Sequence, residues 1–309
     1  MTWMDSREFE GKRVLVTGGT GFIGRHLLNR LTQLDVRIYS VSRSPRRESS
    51  GNVHWYQEDL AELSAVRELL KSVRPHVIFH LASHVVGART VEAIVPTFQC
   101  NLTSTVNLLT AAREFGCGRF ILSGSQEEPS GSFESVPSSP YAVTKWASSA
   151  YARMFSALYQ LPIVILRIFM VYGPGQRDFQ KLIPYVILSL RKGEAPKLMS
   201  GNRPVDWVYV DDVVEGLLAS AQMQNLEGKT IDIGSGKLVT VRKVVEKLVQ
   251  FTGRDISPVF GAKPERPFEQ IRVADTKVAE ELLRWSPSVA LDEGLKRTVA
   301  WYEEYSSVP

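Results

Sequence analysis

Residues 14–24 read Val14-Leu15-Val16-Thr17-Gly18-Gly19-Thr20-Gly21-Phe22-Ile23-Gly24. A short β-branched run meets glycines spaced three apart, and Ile23, Leu27, Leu28 and Leu31 then recur at helical intervals. The pattern is strand, tight turn, helix. Gly18 permits the turn, Gly21 lets backbone N–H groups come close to a ligand, and Gly24 lets helix and strand pack against each other. The free N–H groups at the helix start face any anion held in the turn.

The same alternation continues outward from this unit. Residues 36–41, 53–56, 77–81, 119–122 and 163–169 read as strands, and 22–34, 63–73, 97–115 and 141–158 as helices. Strands alternating with helices predict an α/β fold, a Rossmann-type doubly wound parallel sheet. After Arg167 the rhythm changes at Gly173-Pro174-Gly175. Helices over 182–191, 212–222 and 241–251 alternate with strands over 205–210 and 230–233, and a Pro/Arg-rich loop at 263–267 precedes a last helical region. The predicted organisation is a dinucleotide-binding domain of 1–166 plus about 207–234. A smaller α/β substrate lobe takes about 167–206 plus 235–309. Asp211-Asp212 reads as an acidic cap of the helix that follows.

The 309 residues carry a net charge of +4, with 44% hydrophobic residues, an ordinary globular balance. No concentrated basic stripe argues for nucleic acid. Cys100 and Cys117 form no C-x-x-C pair, which excludes a disulfide framework and fits a cytoplasmic setting. The first twelve residues do not read as a signal peptide, and the apolar stretch 161–173 is broken by Arg167 and too short to span a bilayer. His76, His80 and His84 recur every four residues, but a strand holds them about 13 Å apart at that spacing, so no metal site is expected.

The glycine turn implies a dinucleotide pyrophosphate, with Thr20, Phe22 and Ile23 completing the cradle. A carboxylate at the end of the second strand would bind a ribose 2′-hydroxyl and suit NAD. Ser42 stands there instead, followed by Arg43, with Arg46 adding to the field. A hydroxyl and a guanidinium fit a 2′-phosphate, so NADP(H) is expected over NAD. Asp59, beside Leu60, is placed to accept a bond from the adenine amino group. Tyr141 and Lys145 stand four apart, on one face of a helix that Ser139 and Pro140 can start. A free phenol titrates near ~10, and a neighbouring ammonium favours its ionised form, which makes the pair an acid/base candidate for ketone–alcohol chemistry.

In order along the chain, Gly18-x-x-Gly21-x-x-Gly24, His80-Leu81-Ala82-Ser83, Ser123-Gly124-Ser125, Pro140-Tyr141-x-x-x-Lys145 and Val171-Tyr172-Gly173-Pro174-Gly175 resemble the extended short-chain dehydrogenase/reductases. Asp206-Trp207-Val208-Tyr209-Val210-Asp211-Asp212 and Arg266-Pro267 continue the likeness over nearly the whole chain, which is most similar to the branch acting on nucleotide-activated sugars. The resemblance implies Ser125, Tyr141 and Lys145 as catalytic residues, Leu81, Ala82 and Ser83 along the cofactor, a nucleoside-diphosphate sugar as substrate, and a homodimer formed through the helix of Tyr141. It also implies that Arg266 meets the diphosphate, and His84, Gln126, Glu127, Arg177, Lys181 and Arg203 are further substrate candidates.

Two departures shape the expected chemistry. The sugar dehydratases of this family carry an Asp-Glu dyad after the catalytic hydroxyl. Here Ser125 is followed by Gln126 and Glu127, and an amide cannot act as the general acid. Met170 stands where relatives often place asparagine. With NADP(H) expected, the main expectation is reduction of a 4-keto(-6-deoxy)hexose on a nucleoside diphosphate. An NAD-dependent 4-epimerase is the alternative, a 4,6-dehydratase comes after it, and a non-catalytic NADP sensor is the rival of another class.

Overall fold

The glycine turn joins strand β1 (Lys12–Thr17) to helix α1 (Phe22–Leu31) near the centre of the sheet. The structure is a computed structural model that describes residues 6–45, 52–85, 87, 89–130 and 135–304. Strands β2 (Val36–Ser42) and β3 (Val53–Gln57) and helix α2 (Leu63–Val73) follow, then β4 (Val77–His80) on the other side of β1. Helix α3 (Ile94–Thr97) runs through a π-helical segment (Phe98–Thr103) into α4 (Ser104–Phe115). Strand β5 (Arg119–Ser125), helix α5 (Pro140–Tyr159) and strand β6 (Ile163–Ile168) come next.

Beyond β6, the short strand β7 (Met170–Tyr172) and helix α6 (Leu182–Arg191) lead to β8 (Pro204–Tyr209) and α7 (Val210–Gln222). Strand β9 (Thr230–Ile233) returns to the large sheet. Strand β10 (Leu238–Thr240) and helices α8 (Val241–Thr252), α9 (Thr276–Leu283) and α10 (Leu291–Glu304) complete the chain. Seven parallel strands stand in the order β3-β2-β1-β4-β5-β6-β9, and β10-β8-β7 form a second, three-stranded sheet. The chain winds outward from β1 to β3 and then back to β4, so a crevice opens at the C-terminal ends of β1 and β4.

Three apolar cores hold these layers. Val14, Val16, Leu27, Leu31 and Leu217 pack one face of the large sheet under α1 and α7. Leu15, Leu70, Leu109, Phe120 and Phe155 pack the other face under α2, α4 and α5. Ile187, Trp207, Leu248, Leu295 and Tyr302 fill the smaller lobe between its sheet and helices. None of the described helices is long and apolar enough to cross a membrane.

The departures from the sequence expectation are local. Strands β7 and β10 have three residues each, too few to show a period of two. Helix α1 stops at Leu31, and the expected helix 97–115 begins earlier and is loosened by the π segment. Asp212 does not cap its own helix. Its carboxylate accepts the N–H of Ser288 at 3.0 Å, the Ser288 hydroxyl at 2.7 Å and the N–H of Val289 at 3.1 Å, clasping the segment before α10 onto α7. Asp206 does the same for the β9–β10 turn, accepting from Ser235, Gly236 and Ala274.

His26 ties α1 to the smaller lobe. Nε2 lies 2.9 Å from Pro174 O and Nδ1 lies 3.2 Å from Asp211 Oδ1, so both ring nitrogens face acceptors and the doubly protonated ring satisfies both. Burial opposes that charge, but the bonds to Asp211 and Pro174 outweigh it and raise the pKa above 6.5. A raised pKa gives stability that is complete below the unfolded value and lost as pH climbs through the folded one. Replacing His26 by Gln should therefore cost about 0.5 kcal/mol near pH 5.5 and progressively less toward about pH 9, measured by urea unfolding. A gap that grows with pH would refute the latch.

Candidate active site

The glycines do what the turn requires. Gly18 has φ +72°, and a Cβ on it would lie 2.6 Å from Ala82 N. A Cβ on Gly24 would overlap Gly18 O. Gly21 N–H donates to Gly18 O at 2.9 Å, folding the loop so that the start of α1, with Phe22 and Ile23, points into the crevice. The cradle therefore fits a dinucleotide pyrophosphate, because side chains there would fill the space and the helix N-terminus supplies donors.

The neighbouring strand ends complete the crevice. Leu81 N–H donates to Thr17 O and Ala82 N–H to Thr17 Oγ1, which pins the loop after β4 beside the glycine turn. Ser42 closes β2 and accepts the N–H of Ser44. Arg43 lies beside it, with Nη1 3.5 Å from Cys100 Sγ. Asp59 Oδ1 accepts the N–H of Ala61 at 2.9 Å, and Leu60 O accepts from Asn107. Arg46 lies outside the described residues. Thr20 is half-buried in the turn.

Helix α5 starts as its sequence predicts. Ser139 accepts the N–H of Ala142 at 3.1 Å, and Pro140 occupies the first turn. Four residues of helix then bring Lys145 Nζ to 5.9 Å from the Tyr141 ring centre. Lys145 is 6% exposed and donates to Ser123 O at 2.8 Å and Ser123 Oγ at 3.2 Å. Burial lowers its pKa to about 8, against the pull of Glu128. Burial raises the pKa of Tyr141, Glu127 raises it further, and a hydrogen bond with Ser125 works the other way. Ser125, at the end of β5, thus meets Tyr141, and Glu127 N–H donates to Ser125 Oγ at 3.2 Å.

A charged cluster faces this triad. Burial raises the pKa of Glu127, Lys181, Arg203 and Arg266 oppose that, and Glu269 reinforces it. Glu269 gathers the guanidinium groups, at 3.0 Å from Arg203 Nε, 3.8 Å from Arg266 Nη1 and 3.9 Å from Arg89 Nη2. Lys181, Arg203, Arg266 and Glu127 are therefore brought together. Arg177 stands exposed in the loop before α6, and Gln126 lies half-buried with its N–H on Ile168 O. Sequence reasoning did not single out Arg89 or Glu269. Both sit in loops, and only the spacing of Glu269 three residues after Arg266 hints at a shared patch.

Asn101 anchors the loop that carries His84. Its Oδ1 accepts the His84 N–H at 2.6 Å and the Ser83 hydroxyl at 3.2 Å, and its Nδ2 donates to Thr144 Oγ1 on α5 at 3.1 Å. The His84 ring lies against Thr97 Oγ1. The other two histidines of the run have separate partners: His76 accepts the Arg13 N–H, and His80 lies between Thr17 and Thr105. Among the described residues no group of three or more His, Cys, Asp or Glu side chains could hold a metal ion.

Known proteins resemble this chain in sequence and in fold. A UDP-glucuronate 4-epimerase of Thermodesulfobacterium geofontis is 27% identical over 94% of this chain and 96% of its own length. A probable dTDP-glucose 4,6-dehydratase of Sinorhizobium fredii is 28% identical over 94% and 93%. The crystal structure of a Bacillus cereus UDP-glucuronic acid 4-epimerase, in complex with UDP-glucuronic acid and NAD, superposes with a TM-score of 0.83 at 25% identity, covering 94% of this chain and 99% of that one. The profile of the NAD dependent epimerase/dehydratase family matches residues 14–234. The chain is a member of the NAD dependent epimerase/dehydratase family, within the extended short-chain dehydrogenase/reductases.

Proposed function

We propose that this protein is a nucleoside-diphosphate-sugar 4-epimerase. The observation that carries the reading is Ser125, Tyr141 and Lys145 meeting at the sheet's C-terminal edge, with an amide rather than an acid at Gln126. A bound nicotinamide dinucleotide supplies a reversible hydride acceptor. Tyr141 takes the proton of the sugar's 4-hydroxyl and returns it to the same oxygen, and Ser125 holds that oxygen through both steps. Lys145 places its positive charge beside the phenol, which favours the phenolate that burial opposes. Arg203, Arg266 and Lys181 form the cationic wall for the diphosphate, with Arg89 added, and their guanidinium forks suit phosphate oxygens. The smaller lobe, with helices α6, α8 and α10, is the substrate side of this cleft.

Net reduction of a keto-sugar, the main sequence expectation, draws no support from the three relatives described above, whose names are those of epimerases and a dehydratase. Gln126 weighs against dehydration, because a glutamine has no acidic proton to give the leaving hydroxyl. A second reading concerns the cofactor alone. No carboxylate closes β2, and Ser42 with Arg43 favours NADP(H), whereas the B. cereus protein was solved with NAD. A cytoplasmic setting, in keeping with two free cysteines, belongs to the same reading. The proposed partner is a second copy of this chain, through the apolar side chains exposed on α3 and α5. Val95 is 61% exposed and Tyr151 41%.

Incubation with UDP-glucose or UDP-glucuronate should give the 4-epimer by proton NMR, with no net change in cofactor absorbance. Tyr141→Phe should slow this by about a hundredfold or more while retaining bound cofactor. Stoichiometric consumption of NADPH by a keto-sugar nucleotide would overturn the epimerase assignment. Mass spectrometry of the nucleotide extracted from native protein decides between NAD and NADP, and Arg43→Asp should move the preference toward NAD. Sedimentation equilibrium should return about twice the 34.6 kDa chain mass, and a single-chain mass at all concentrations would exclude the dimer.

A further inference from the structure

Glu128 has no part in the chemistry described above, yet its carboxylate belongs to a residue only 2% exposed. Its Oε1 accepts the Ser125 N–H at 2.7 Å, and its own N–H donates to Ser125 O at 3.1 Å. Two bonds between the same residues close the turn that presents the serine. The space for the carboxylate comes from Gly124, because a Cβ there would stand 2.6 Å from Glu128 Oε1. Strand alternation puts Gly124 on the sheet face of Phe120 and Leu122, which share a core with Ala152 and Phe155 of α5. The missing side chain at 124 therefore opens room beneath the helix that bears Tyr141 and Lys145.

Lys145 needs such a neighbour. Among the described residues its hydrogen bonds go to neutral oxygens of Ser123, and a buried ammonium without a countercharge loses its proton. Ser123 O and the Ser125 N–H point to the same edge of β5, so the two groups bonded to them, Lys145 and the Glu128 carboxylate, are buried side by side, and Glu128 is the anion that works against that loss. The other charges around Glu128 come from several elements. Arg272, before α9, donates to Glu128 O at 3.3 Å, and the Arg167–Asp232 pair of β6 and β9 acts on Arg272. Glu127 lies beside it, and Tyr141 on α5 feels both carboxylates.

We propose that Glu128 is a positioning residue of this site: bonded to the Ser125 amide and seated against Gly124, its carboxylate fixes the Ser125 turn and serves as the countercharge of Lys145. Its catalytic meaning rests on Tyr141 and Lys145 being the working pair, but the contacts themselves involve no substrate. Removing the charge alone separates the two parts of the role, since an amide oxygen can still accept the Ser125 N–H.

Titration of Lys145 by NMR of lysine labelled with ¹⁵N at Nζ tests this directly, the signal being identified by its loss in Lys145→Arg. The native midpoint should lie near 8 and fall by about one pH unit in Glu128→Gln, a tenfold loss of ammonium on the alkaline side. The unfolding temperature should move little. An unchanged midpoint in a folded Glu128→Gln overturns the proposal. If that variant does not fold, the native chain decides: a Lys145 midpoint below about 6, the range of a buried lysine lacking a countercharge, overturns it, and one near 8 upholds it. No substrate enters either titration. A silent epimerase assay beside a shifted Lys145 would therefore remove the activity and leave the Glu128 role in place.

Discussion

The close approach of Gly18 to the end of β4 sets the geometry of everything above the sheet. With no Cβ at Gly18 or Gly24, the first helix sits directly on the first strand, and the loop after β4 rests on the turn. A methyl group at either position would meet backbone atoms, which cannot swing aside as a side-chain tip can. The start of α1 and the loop after β4 are consequently held against each other at the crevice.

A buried chain of hydrogen bonds carries this rigidity across the sheet. Thr105 donates its hydroxyl proton to Asn101 O at 2.6 Å, so its oxygen accepts from His80 Nε2 at 3.0 Å. His80 Nδ1 then accepts from Thr17, whose oxygen accepts the Ala82 N–H. Each proton has one direction, and the imidazole is neutral. Burial, aided by the charge of Lys145, pushes its pKa down to about 3. From Asn101 the network passes to the His84 loop and, through Thr144, to α5. The π-helical segment places Asn101 where its backbone serves Thr105 and its side chain serves the loop.

Charge is arranged in two layers around this frame. The inner layer is the more buried: Lys145 and Glu128 are almost wholly enclosed beside the half-buried Tyr141, so their charges are weakly screened. The outer layer is a wall of Arg89, Arg203, Arg266 and Lys181 around Glu269 and Glu127. Glu269 keeps three guanidinium groups together that would otherwise repel one another. On the proposed reading the inner layer serves proton transfer and the outer one receives the diphosphate.

The glycine spacing, the alternation of strands with helices and the four-residue step from Tyr141 to Lys145 were legible without coordinates, because each is a local rule of backbone geometry. The Ser139 cap was legible for the same reason. The chain by itself also determined that an amide follows Ser125 and that no acid closes β2. Tertiary structure alone decided the rest. Glu128 carried no expectation, since nothing in the sequence says that Gly124 leaves room for it under α5. Arg89 and Glu269 lie 180 residues apart in sequence, and only the folding of the smaller lobe over the sheet brings them together. The short strands β7 and β10 exist because β8 lies between them and satisfies their backbone groups, a pairing that three residues cannot encode locally. Periodicity records what a segment does with its own neighbours, whereas the charge, burial and partners of Lys145 depend on residues that meet only when α5 packs on the sheet.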